Sequence, residues 1–82
     1  MSGDHWRLKL NNLMQATYGV QNLRWEQYQA GPQHTAPWTA IAYIRNVEWG
    51  RGSSHILADA KEAAAQMAYR ALYKEVYGTY PQ

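Results

Sequence analysis

The alanine-rich segment 57–77 constrains this chain most. It repeats with a helical period: Ala60, Ala63, Ala64, Met67 and Ala71 form an apolar stripe, while Glu62, Gln66 and Arg70 face water. A helix face made of small side chains can approach a flat surface closely, so this helix asks for a sheet beneath it. Segment 38–44, rich in aromatic and β-branched residues, supplies one strand of it. Its two faces are Trp38, Ala40, Ala42, Ile44 and Thr39, Ile41, Tyr43.

The remaining elements follow from the same periodicities. Over residues 4–18, Trp6, Leu10, Leu13, Met14 and Thr17 fall on one helical face. Asp4 can cap the start of that helix and Gly19 suits its end. A strand over 23–29 alternates Leu23 and Trp25 with Arg24 and Glu26. A loop containing Gly31, Pro32 and Pro37 leads to the strand over 38–44. Arg45-Asn46 makes a tight reversal, because asparagine tolerates positive φ. A third strand is expected over 47–51, ended by Gly50 and Gly52. The fold predicted is α+β: a two-layer α-β-β-β-α sandwich with both helices on one face of a three-stranded antiparallel sheet. One domain spans 4–77, with short tails at 1–3 and 78–82.

Composition narrows the chemistry. Eighty-two residues leave room for one small core, and 46% hydrophobic with 13% aromatic content is enough to build it. The absence of cysteine removes disulfides, thiolate catalysis and cysteine-ligated zinc, and fits a reducing compartment. No apolar run approaches the ~20 residues that span a membrane, and Met-Ser-Gly-Asp-His-Trp has no signal-peptide core. An intracellular protein, cytoplasmic or nuclear and without a membrane partner, is expected. The three histidines lack a metal-ligand spacing, and Ser54-His55 are mere sequence neighbours, which does not set a base against a nucleophile. No glycine-rich phosphate loop is present. No catalysis and no cofactor are expected. A net charge of +2 is compatible with nucleic acid but does not demand it.

Three segments, in order, resemble the double-stranded-RNA-binding domain family over about residues 6–73. Leu10-Asn11-Asn12-Leu13-Met14-Gln15 is similar to the family's first helix, Leu-Asn-Glu-Leu-x-Gln. Gly31-Pro32-Gln33-His34, with Trp38 after three more residues, is similar to its Gly-Pro-x-His-x-x-x-Phe loop and strand. Trp49-Gly50-Arg51-Gly52, then Ala60-Lys61 and Ala63-Ala64-Ala65, resembles its Tyr-Gly-x-Gly and Ala-Lys-x-Ala-Ala-Ala. The resemblance implies binding of A-form duplex RNA by shape, with little base specificity. Helix 1 would enter one minor groove through Asn12 and Gln15, and the loop would enter the next through His34. The start of helix 2 would meet phosphates.

That last region departs from the family. Its Lys-Lys-x-Ala-Lys falls on Leu57-Ala58-Asp59-Ala60-Lys61, so only Lys61 remains, and Asp59 adds a negative charge. Arg51, Ser53, Ser54 and His55 stand as substitutes. A reduced RNA affinity is therefore expected. The alternative is a module of the same fold that binds a protein partner or forms a homodimer. Leu57 in a lysine's place, together with Tyr28, Ile41 and Tyr43 on the outer sheet face, would be its interface.

Overall fold

The structure, a computed structural model, describes residues 5–31 and 35–81. They form α1 (His5–Ala16), a short 3₁₀ turn (Val20–Asn22), β1 (Leu23–Gln29), β2 (Trp38–Ile44), β3 (Val47–Ser54) and α2 (Leu57–Tyr77). The strands make one open antiparallel sheet in the order β1-β2-β3. α2 packs on β2 and β3, and α1 packs beside α2, giving the α+β arrangement expected. β1, β2 and α2 have the expected bounds. The β2–β3 reversal is a two-residue turn with both φ angles positive, 54° at Arg45 and 67° at Asn46. Arg45 holds it against the end of α1: its guanidinium lies 4.1 Å from the Tyr18 ring centroid, and its N–H donates to the Asn22 carbonyl at 3.0 Å. The Asp4 cap expected for α1 lies outside the described residues.

One core joins Leu10, Leu13 and Met14 of α1, Ala42 and Ile44 of β2, and Ala65, Ala68 and Leu72 of α2. A smaller cluster of Ala40, Ala60 and Ala64 continues it toward the start of α2. The buried stripe of α2 is therefore Ala60, Ala64, Ala65, Ala68 and Leu72. This corrects the expected one. Ala63 and Met67 are exposed, and the stripe is turned roughly 80° about the helix axis toward α1. A helix covered by a sheet below and a second helix at its flank buries two sides, and the flanking helix moves the centre of burial. The same neighbour takes Glu62 out of water. Its side chain, only 15% exposed, accepts from the backbone N–H of Trp6 at 2.6 Å and of Arg7 at 3.1 Å.

β3 also differs from expectation. It runs through Gly50 and Gly52 to Ser54 instead of stopping at them. Gly50 pairs with Ala42 and Gly52 with Ala40, on the face where the α2 backbone comes closest. A register shift at Ala42/Tyr43, where Gly50 pairs with Ala42 but Glu48 with Tyr43, leaves Trp49 as the extra residue of a bulge. Trp49 packs against the main core.

Candidate nucleic-acid interface

On α1, Asn12 and Gln15 are three residues apart and both exposed, while Leu10, Leu13 and Met14 are buried. They share the outward face with Leu8, which is also exposed. The periodicity that builds the core thus leaves two amides, each able to donate and accept, directed at solvent.

The loop that follows β1 is braced on both sides of its tip. Gln29 donates through Nε2 to the Ala36 carbonyl at 3.0 Å, bridging the loop's base, and Ala36 is buried. Gly31 takes φ 86°, which a glycine adopts without strain. His34 itself lies outside the described residues. His55 Nε2 lies 3.3 Å from the Thr35 carbonyl, a contact in which the ring N–H donates. This residue, expected as a substitute phosphate contact, thus ties the end of the loop to the approach of α2.

That approach leaves the start of α2 open. Its N-cap residue, Ile56, makes no side-chain capping bond, and the Ser54 hydroxyl instead accepts from the Ile56 N–H at 3.2 Å. The first backbone N–H groups of the helix therefore keep their positive end toward solvent. Lys61 lies one turn in, half-buried, while Ala58 and Asp59 are exposed. Asp59 suits the helix dipole but opposes an anion at the same place. Leu57 is half-buried.

The outer sheet face is not the apolar patch expected of a partner surface. Ile41, at its centre, is 3% exposed. Its cross-strand partners are Glu26 and Arg51, and the charged chains around it are paired with one another. Arg24 bonds Glu26 at 2.8 Å and its guanidinium lies 4.4 Å from the Tyr43 ring centroid, while the Tyr43 hydroxyl donates to Glu26. Arg51 bonds Glu48 at 2.9 Å and donates to the Tyr28 hydroxyl at 3.3 Å. The hydrogen bond from Arg24 holds the Glu26 carboxyl below the usual range, and that from Arg51 does the same for Glu48. The Glu48 bond raises Arg51 in turn, and desolvation raises Tyr43. Depressed carboxylates stay charged through neutral pH, and their contribution is lost only as pH falls through their folded-state values. Arg51 is committed here, on the opposite face from the helices, and does not join Asn12, Gln15 and Lys61.

Charge is thus divided between the faces. Among the described residues the ion pairs are Arg24 with Glu26, Arg51 with Glu48, and Arg7 with Glu62. Lys9, Arg45, Lys61, Arg70 and Lys74 enter none, and four of these five cations stand on the helices. Among the described residues no group of three His, Asp or Glu side chains could hold a metal ion, and no helix is long and apolar enough to cross a membrane. Sequence reasoning missed Gln29 as the loop brace and Glu62 as the cap of α1. Both act over a distance that no local period reports. Comparison of the chain with protein-family models, curated proteins and solved structures returned no match.

Proposed function

We propose that the chain is a non-catalytic binding module of the double-stranded-RNA-binding type, gripping A-form duplex RNA by shape with few phosphate contacts. The observation that carries this reading is the contact of His55 with the Thr35 carbonyl. It joins the loop bearing His34 to the uncapped start of α2, two of the three regions the resemblance assigns to RNA. A loop can enter the shallow minor groove and meet 2′-hydroxyls, and an open helix N-terminus with Lys61 suits a phosphate. Asn12 and Gln15 offer amides to a second minor groove. Of the surface expected for the protein-binding alternative, Ile41 is buried and Tyr43 is bonded to Glu26, while Tyr28 is exposed and Leu57 half-buried.

The test is a titration with duplex RNA at low salt, beside duplex DNA and single-stranded RNA of the same sequence. Duplex RNA is expected to bind best, because only it offers A-form grooves lined with 2′-hydroxyls. His34→Ala should weaken it by about 1 kcal/mol, roughly fivefold, with the melting temperature unchanged. Equal binding of all three nucleic acids, or of variant and parent, would overturn the assignment.

A gain-of-function variant probes the helix end. Ala58 is exposed at a vacant lysine position, whereas Leu57 is half-buried and unsuitable. Ala58→Lys is expected to tighten binding and to steepen log K against log salt by roughly 0.9 for each phosphate gained. A folded variant with an unchanged slope would turn the start of α2 away from RNA.

A further inference from the structure

The flank of α2 that faces neither the sheet nor α1 carries a groove of about 440 Å³, lined by Ala63, Gln66, Met67, Arg70, Ala71 and Tyr80. Its floor is apolar: Met67 is 53% exposed and stands between two alanines one turn away on either side. One end is walled by the chain itself. Gly78 adopts φ 79° and ends α2, with its N–H donating to the Lys74 carbonyl. The chain then turns back, so that Tyr80 lies 5.4 Å from the Arg70 guanidinium and 5.7 Å from the Lys74 ammonium. Neither cation has an acidic partner among the described residues. An apolar floor beside two cations stacked on a tyrosine suits a bulky apolar side chain with a carboxylate next to it.

Two further features define the ligand. The groove runs along a helix whose backbone hydrogen bonds are satisfied, so it offers no edge for a strand to pair with. A segment held there is gripped by side chains alone, which a helix laying one face into the groove supplies. Asp59 lies on the same flank of α2, eleven residues or about 16 Å toward its start from Arg70. It repels carboxylates there, and so sets the acidic end of the ligand over Arg70 and Lys74. We infer that this groove receives an acidic amphipathic helix of a partner protein, seating one large apolar side chain against Met67. Lys61 lies roughly 180° around the helix from Arg70, so this surface is separate from the proposed RNA contacts and does not depend on them.

The test is an amide-resolved NMR titration of the full chain at low salt with a synthetic helical peptide carrying leucine and glutamate on one face. A second peptide replaces every glutamate with glutamine. Saturable shifts are expected at Ala63, Gln66, Met67, Arg70 and Tyr80, with the glutamine peptide at least tenfold weaker. Arg70→Glu, at an exposed position, should weaken the acidic peptide about tenfold without moving the melting temperature. Absence of saturable shifts, shifts centred elsewhere, or equal binding of the two peptides would overturn the inference. Failure of RNA to bind would leave it standing.

Discussion

Gly50→Ala is expected to lower the stability of the domain by about 3 kcal/mol or more. A Cβ at this position overlaps the Ala64 carbonyl oxygen and meets the Ala68 nitrogen at 2.8 Å and the Ala68 Cβ at 3.0 Å. The obstacles are backbone atoms and a methyl group, none of which can swing aside as the end of a flexible side chain would. β3 cannot retreat alone, because Gly50 is paired with Ala42 in the middle of the sheet. α2 cannot retreat alone either, because Ala64 and Ala68 are fully buried beneath it. A chain of 82 residues has a total stability of about 4–12 kcal/mol, so the loss is a large share of it. The melting temperature should fall by about 12–24 °C. Gly52→Ala should behave alike, since its Cβ meets Ala63 Cβ and Ala64 N at 2.7 Å as well as the Ala60 carbonyl. Gly78→Ala is the control: φ is 79° and nothing lies within 4 Å, so only about 1 kcal/mol of backbone strain is expected. Circular-dichroism melts of the three variants separate space from backbone strain. A Gly50→Ala protein melting within a few degrees of the parent would show that helix and sheet are less close than described.

The two glycines also mark where sequence reading stops. A glycine in a strand signals either an end or a close approach, and only the position of α2 decides which. The bulge at Trp49 hides the decision further, because it breaks the alternation that would have kept β3 continuous. β1 and β2 were legible because period-two patterning and the Arg45-Asn46 turn are local. The length of α2 was legible for the same reason, but its buried face was not. In a helix of alanines every small side chain looks alike, and the choice between Ala63 and Ala65 rests on where α1 docks. On the sheet, period two assigned Ile41 to the outer face correctly and said nothing of what covers it. Arg24 and Glu26 come from β1, Glu48 and Arg51 from β3, and the two pairs flank Ile41 only after folding. Asn12 and Gln15 were legible as outward residues, since helical spacing alone sets them opposite Leu10 and Met14. The loop brace from Gln29 and the contact of His55 carry no periodic signal.

Glu62→Ala is expected to cost about 2–3 kcal/mol and to loosen α1 selectively. Among the described residues the first turn of α1 holds no acidic side chain, and Glu62 of α2 brings a negative charge to its positive end. Glu62 Oε1 accepts from the Trp6 N–H, and Oε2 from the Arg7 N–H and from Arg7 Nε at 3.1 Å. One carboxylate thus accepts from two donors of the helix start and pairs with a neighbouring cation. An alanine removes both acceptors from this half-buried site, whereas Glu62→Gln keeps one acceptor, loses the charge, and should fall between. The consequence reaches function, because α1 carries Asn12 and Gln15. If they contact RNA, Glu62→Ala should weaken duplex binding although Glu62 touches no RNA, and the loss should shrink at temperatures where α1 is redocked. Hydrogen exchange resolved by residue is the decisive measurement. Protection should drop across α1 and the facing turn of α2, while β2 and β3 stay close to the parent. Uniform loss would mean that α1 cannot open apart from the whole domain. Unchanged protection with an unchanged melt would mean that the carboxylate does not anchor α1.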